Sequence, residues 1–465
     1  MNNDISTFDK MPVPKAVLKN AIPAMVSMIM VLIYNISDTF FISLTRDPLQ
    51  IAAVSIATPV FLLSMAIGTL FGVGGMSVIS RAFGEGKSEY AKKVSSFCFW
   101  ACVGVGVVLM AVVWLFMDQI LVIIGASTDT MELARSYLVI VTAGAPFVVV
   151  ANCFSNIVRA EGFATKAMMG MLIGNLLNVI LDPIFILALD MGVAGAAIAT
   201  VIGNVVGTLY YLFHFLRKKS SLSISPKNFK MSDRICSGVL AIGLPASLNS
   251  MLMCISDVLL NGQMTQYGDL PIAAVGVARK IMMVVGMVQI GLGQGIQPLL
   301  GYSYGAGNRE RFQKLLRFSL VFSTILSVVI TAACYIWTDQ LVGIFLEDAA
   351  AFNYSVTFAR ILLTSGLVFG VLFVLTNALQ ATGAAISSLI LSISRQGIVF
   401  IPMLYILGAV FGMNGLVAAQ PAADIISFAL AVILYLLISR KAFSGKAFEK
   451  NNDMGTEDSP VGDIV

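Results

Sequence analysis

Charged side chains are scarce in this chain. Asp, Glu, Lys and Arg together make up 12% of its 465 residues, and hydrophobic residues 58%; a soluble domain has about a quarter charged and under half apolar residues. Histidine occurs once, as His214 at a span end, which argues against a histidine-held metal or a proton role for it. The six cysteines (Cys98, Cys102, Cys153, Cys236, Cys254, Cys334) form no CxxC pair and all lie in or at the edge of apolar stretches. They read as reduced core residues, neither metal ligands nor disulfides. No small-residue cleavage site follows the long first apolar run, so a cleavable signal is not expected. The short alternating segments of a spanning β-barrel are missing too. No basic patch suits nucleic acid.

What the chain has instead is long charge-free runs: Pro48 to Ser80, Val94 to Met117, Ser136 to Val158, Met191 to Leu216 and Ile235 to Ser256. Runs of about 18 or more apolar residues are membrane-span candidates. Twelve spans are expected, at roughly 16–44, 51–80, 92–118, 131–158, 164–188, 193–216, 236–264, 271–302, 312–337, 350–380, 385–408 and 414–439. With the N-terminus inside, the inward tail and loops collect most of the Lys and Arg, among them Arg81, Lys87, Arg217, Lys218, Lys219, Lys227, Lys230, Arg309 and Arg311, while the outer side has only Arg46 and Arg135. Both termini are therefore expected in the cytoplasm. The net charge of +4 reports this topology.

The chain repeats itself. "IAAVSIA" (51–57) returns as "IAAVGVA" (272–278), 221 residues later, and Gly72, Gly74, Gly84 and Gly86 meet Gly293, Gly295, Gly305 and Gly307 at that register. "NIVRAEGFA" (156–164) meets "NALQATGAA" (377–385), and "GVAG" (192–195) meets "GMNG" (412–415) one residue short of it. The expected organisation is an N-terminal six-helix lobe (1–216), a cytoplasmic linker (217–234), a C-terminal six-helix lobe (235–440) and a disordered cytoplasmic tail (441–465). Six crossings is an even number, so both lobes share one orientation and a pseudo-two-fold axis along the membrane normal. That is a recurring plan of secondary transporters, with the substrate path between the halves.

Ionisable groups inside a bilayer are costly and point to function by default. The first lobe has Asp38 and Asp182 and no cation in its spans; the second has Asp257 and Asp424 with Arg279, Lys280, Arg360 and Arg395. The second set, with Asp257 at similar depth to Arg279 and Lys280, reads as a self-compensated structural network. The acids of the first lobe have no such account. In "GNLLNVILDPIF" (174–185), Asn178 and Asp182 are i and i+4 and share a helix face. Pro183 lacks the N–H that would engage the Val179 carbonyl and should kink the helix. A carboxylate, an amide oxygen and a loose carbonyl are hard ligands for a proton or small cation. Thr200 can add a hydroxyl and Asp38 a second carboxylate, and two like charges brought together favour binding either ion.

Other features read as structure. The Gly-x-Gly elements at 72–74 and 291–295 lie inside apolar spans with no preceding strand, so they are packing or bending glycines and not a nucleotide fingerprint. Most of the 24 Met are core or lipid-facing filler.

The chain resembles the multidrug and toxin extrusion (MATE) transporters, within them the branch of the MepA and DinF efflux proteins. The resemblance covers about residues 10 to 440. It rests on "IYNISDTFFI", "FGVGGMSVISRAFGEG", "IVRAEG", "LNVILDPIFI", "GAAIATVIGN" and "GLGQGIQPLLGYSYGAGN". It implies an all-α, twelve-helix, two-lobed antiporter of the cell (plasma or inner) membrane that expels cationic drugs in exchange for inward H⁺ or Na⁺. Its ion site would fall on Asp38, Asn178, Asp182 and Thr200, which are also the candidate Na⁺ ligands. No other cofactor, no nucleic acid and no enzymatic role are implied, and lipid is the surrounding partner of a monomer. The NorM-like branch has acids in spans seven and ten; here span seven has only Asp257 and span ten Arg360, against a second-lobe ion site of that kind. The alternative is a lipid-linked flippase of the same superfamily, which would favour a cation-rich cavity. An intramembrane aspartyl protease would need a GxGD-type element, present at neither Asp38 nor Asp182.

Overall fold

The computed structural model describes residues 6–45, 47–217, 220–231, 234–345 and 349–442. Arg46, Lys218, Lys219 and the polar tail from 443 onward, all assigned roles in the topology above, lie outside the described residues. Helix dominates throughout, and no strand occurs among the described residues. The first half of the chain holds α1 (Ser6–Asp9), α2 (Val13–Ser43), α3 (Pro48–Gly84), α4 (Ser88–Leu115), α5 (Met117–Ile123), α6 (Met131–Ala143), α7 (Ala145–Ala160), α8 (Ala164–Asp182) and α9 (Gly192–Leu216). The second holds α10 (Ile235–Met264), α11 (Asp269–Gly305), α12 (Arg309–Ile336), α13 (Thr338–Gly343), α14 (Ala349–Leu363), α15 (Gly366–Thr382), α16 (Ala385–Ile393) and α17 (Phe400–Ala442).

Local signals set several boundaries. The Asp47 carboxylate accepts from Leu49 N at 2.9 Å, and Pro48 opens α3 where its missing N–H costs nothing. Asn308 caps α12 in the same way, accepting from Arg311 N at 2.9 Å. Among the described residues nine helices are long and apolar enough to cross a membrane, and eleven if two bent pairs each count as one span. The pairs are α6 with α7, bent by 52°, and α14 with α15, bent by 45°. The stretch Ala385–Ser439 enters that count once, yet its 55 residues far exceed the ~20 that one crossing needs. Gly412, at φ 60 and ψ −138, breaks it in two. Twelve crossings result, as expected.

The repeat is physical as well as textual. Left-handed glycines at Gly86, Gly162 and Gly192 are matched by Gly307, Gly383 and Gly412, the positions set by the repeat. The same helices pack in each half: α3 on α4, α6 and α7, and likewise α11 on α12, α14 and α15.

By compactness, residues 26–247 form one unit, and residues 8–25 with the described residues from 248 onward form the other. The opening half of α2 thus belongs with the second unit and the opening half of α10 with the first. Glycines of the repeat admit these segments. A Cβ on Gly74 of α3 would meet the carbonyl of Val239 in α10, and one on Gly295 of α11 would stand 2.6 Å from Ala21 Cα in α2. Gly74 and Gly295, inside the apolar spans, are therefore sites of close helix approach.

In the first unit, Ile42, Ala53, Val60, Leu121, Leu138 and Ile186 share a core. They come from α2, α3, α5, α6 and the segment after α8, and this core fixes the elements that bear the two first-lobe acids.

Candidate functional site

Three helices bring the predicted residues together. The later half of α2 presents Tyr34 and Asp38, four residues apart and so on one face; α8 presents Asn178 and Asp182 in the same way; α9 presents Thr200. Asn178 Nδ2 donates to Thr200 Oγ1 at 3.2 Å. Asn204 Nδ2, a turn further along α9, holds the Thr200 carbonyl at 2.8 Å. Asp182 is 0% exposed, Asn178 2% and Thr200 3%. Asp38 is half-buried and interacts electrostatically with Asp182.

The acceptors of this cluster outnumber its donors. Both carboxylate oxygens of Asp182, Oδ1 of Asp38 and Oδ1 of Asn178 are buried and accept no hydrogen bond. Buried polar atoms are paired in the great majority of cases, and an ionised carboxylate in an apolar interior is among the costliest groups to leave alone. Among the described residues, salt bridges reach neither Asp38 nor Asp182, whereas the second-lobe acids Asp257 and Asp424 both have one. Also among the described residues, three or more His, Cys, Asp or Glu nowhere gather as a metal site. A cation here would therefore rest on two carboxylates with the amide and hydroxyl oxygens of Asn178 and Thr200, a hard oxygen set.

Two aromatic hydroxyls complete the cluster and were not anticipated. Tyr34 lies within hydrogen-bonding reach of the Thr200 side chain and in the field of both acids, and the buried Tyr137 of α6 lies in the field of Asp38, Tyr34 and Asp182. A tyrosine in an apolar run carries no mark of function in a sequence; only the i, i+4 spacing of Tyr34 and Asp38 held a hint.

Past Asp182 the helix does not simply kink. It runs into a π-helical turn, Pro183–Ala188, within one crossing of 25 residues. Pro183 has no N–H for the i−4 carbonyl, so the ladder is broken where the wider turn begins. Such turns are rare and collect at functional sites.

The first lobe also has a buried cation, contrary to the expectation that it has none. Arg159, near the end of α7, is 1% exposed; Nη1 donates to Asn156 Oδ1 at 3.0 Å and Nη2 approaches Met171 Sδ at 3.4 Å. Sequence reading placed it at the mouth of the span, but packing draws it in. Its head group lies against Met171 of α8, about three turns before Asp182, and so does not neutralise the acids. Close by, Glu161 and His214 are both buried, with Oε2 and Nε2 3.2 Å apart, and Glu161 Oε1 accepts from Ser220 Oγ at 2.7 Å and from Ser221 N in the linker.

In the second lobe the charges form separate pairs and not one network. Arg279 Nη1 meets Asp257 Oδ1 at 2.6 Å, in a setting where the Asp257 side chain is 45% exposed. Lys280, about 100° further round α11, points elsewhere and lies 5.3 Å from the Phe345 ring centre. Arg360 pairs with Asp339 at 3.2 Å. Arg395, in a second π-helical turn (Ser394–Ile398), holds the fully buried Asp424 at 2.8 Å, with its guanidinium about 5 Å from the ring centres of Phe369 and Phe373.

Comparison with known proteins bears on the fold and the family. A family model described as MatE matches residues 23–184 and again 245–406, the same 222-residue offset that pairs Pro23 with Pro245. The multidrug export protein MepA of Staphylococcus aureus (strain MRSA252) is 33% identical over 434 residues, which span 93% of this chain and 96% of that protein. A crystal structure of a MATE in complex with MaL6 superposes with a TM-score of 0.90 at 26% identity, over 97% of this chain and all of the other. An outward-facing multidrug resistance MATE family transporter of the MOP superfamily gives a TM-score of 0.89 at the same identity, over 97% and 99% of the two chains.

Proposed function

The chain belongs to the MatE family of membrane transporters, and from that premise we propose that it is a multidrug efflux antiporter of the cell membrane, exporting organic cations against an inward flow of protons or sodium ions. The coupling ion binds in the first lobe, at Asp38, Asn178, Asp182 and Thr200. One observation carries the reading. An acid pair with buried, unmatched oxygens and, among the described residues, no salt-bridged cation gains its missing partner when a proton or sodium ion arrives.

Binding then changes the balance of forces on α8. With the ion bound, Asp182 is a neutral or compensated group that tolerates the apolar core around Ile42, Leu138 and Ile186. Without it, the two carboxylates repel and Asp182 draws towards water. The π turn at Pro183–Ala188 is where the helix can yield between these states. The ion shifts the equilibrium by its differential affinity for the two forms and by no more than that. Expulsion of a cationic drug is coupled through the charge: the first lobe offers its acids to one positive partner at a time.

Ethidium efflux in everted membrane vesicles tests the proposal, with pH and Na⁺ gradients imposed separately. At least one gradient should drive dye transport above the ungraded control. Dye movement that is indifferent to both gradients would make the protein a passive pore and refute the antiport reading.

A further inference from the structure

Beyond α9 the connector to α10 is held along a fixed path on the first unit. Ser220 Oγ donates to Glu161 Oε1 at 2.7 Å, and Ser221 N donates to the same oxygen. Ser220 Oγ also accepts from Leu222 N at 3.1 Å, and Leu222 is the buried residue of the stretch 220–229. Further on, Ser96 Oγ of α4 donates to the Ser225 carbonyl at 2.7 Å and Trp100 Nε1 to the Ile224 carbonyl at 3.2 Å. The Phe229 ring stacks on Phe97, also of α4, with 6.1 Å between centres. A free connector rich in small polar residues would sample many conformations; this one is tied at both ends.

Glu161 holds the first of these ties. While Oε1 takes the linker, Oε2 lies 3.2 Å from His214 Nε2 at the end of α9. His214 Nδ1 is in turn 3.4 Å from Lys166 Nζ of α8. An ammonium has only protons to offer, so Nδ1 accepts and Nε2 carries the hydrogen given to Glu161. The carboxylate is 2% exposed, and bonds of this charge-assisted kind offset the loss of water. The internal repeat shows that the helix end does not require it. At the 221-residue register Thr382 stands in place of Glu161, between Asn377 and Gly383 where the first half has Asn156 and Gly162. Both glycines are left-handed, and the Thr382 hydroxyl turns back to Leu379 O at 3.0 Å within its own helix. The same turn thus forms with no acid, and in the first half the acid serves the linker.

We infer that residues 220–229 are a strap across α4 and the ends of α7 and α9, that Glu161 is its buckle, and that the strap opens while the lobe stays folded. Its ties are mainly polar, so one carboxylate charge governs them. None of its residues belongs to the core that holds the two first-lobe acids, so opening is a local event. The inference stands apart from the transport reading. Hydrogen exchange of full-length protein in detergent, followed by mass spectrometry, tests it by comparing linker peptides with peptides of α8 and α9. In the unaltered protein the amides of Ser221 and Leu222 should exchange at least ~tenfold more slowly than in an unstructured peptide. Glu161→Gln keeps the size of the side chain and removes its charge; linker exchange should rise about tenfold with α8 and α9 unchanged. Ser220→Ala, at a half-exposed position, should raise it several-fold and carries the test should Glu161→Gln fail to accumulate. Linker amides that exchange freely in the unaltered protein would overturn the strap. Protection undiminished in both variants, or lost from α8 and α9 together with the linker, would overturn its separate opening at Glu161.

Discussion

Asp182 is the residue on which the transport proposal turns. Asp182→Asn keeps the shape of the side chain, removes its charge and supplies a donor where both oxygens now lack one. The variant should reach the membrane in normal amount yet lose gradient-driven export down to background. Asn178→Ala and Thr200→Ala break one 3.2 Å hydrogen bond, worth ~1 kcal/mol, and should retain partial coupling. Tyr34→Phe, which removes only the hydroxyl near Thr200, should resemble them. Initial rates of ethidium efflux at fixed gradients rank these variants, and wild-type efflux by Asp182→Asn would sink the site. Asp38, Asn178, Asp182 and Thr200 were legible in the sequence because a charge within an apolar run stands out and the i, i+4 rule gives a neighbour on the same face. Tyr34 and Tyr137 were not, because a tyrosine is at home in such a run. Nor was Arg159, whose burial follows from side-chain packing near Asn156 and Met171 and not from its place at a span end.

Among the elements, α11 offers an internal comparison between two glycines. Nothing stands within 4 Å of a Cβ on Gly276, while a Cβ on Gly295 would stand 2.6 Å from Ala21 Cα and 2.7 Å from the Asn20 carbonyl. Alanine at the first should help the helix by ~0.5–1 kcal/mol through reduced backbone freedom. Alanine at the second should cost ~1–3 kcal/mol by overpacking. Thermal midpoints of the two purified variants should therefore move in opposite directions, and a shared direction would remove the close α2–α11 approach. The spans themselves were readable from hydropathy and the break at Gly412 from the repeat. The π turn was not: Pro183 announces a disturbed helix, but whether the ladder kinks or widens depends on what packs beside it.

For the whole molecule, the distribution of Lys and Arg predicts one orientation. Thr128, exposed between α5 and α6, should face outward, and Lys227, exposed in the linker, inward. The native cysteines are all free, four of them buried, and a background with each replaced by alanine avoids burying a new hydroxyl. In that background, Thr128→Cys should react with a membrane-impermeant maleimide on intact cells, and Lys227→Cys only after the membrane is opened. The reverse pattern would invert the topology and place the acid pair near the opposite face.

The opening half of α2 also imposes an order of events on the making of the protein. Residues 8–25 leave the ribosome well before the glycines that receive them, Gly291 and Gly295 of α11. At ~5–20 residues per second, translation takes on the order of tens of seconds to reach that helix. For that interval an apolar segment containing Pro23 stands in the bilayer without its protein neighbour, with lipid on the face that will later meet α11. A ribosome stalled within the linker would leave a nascent chain in which α2 is inserted but half unclaimed. Synthesis of the second half is therefore what gives that face of α2 its protein neighbour.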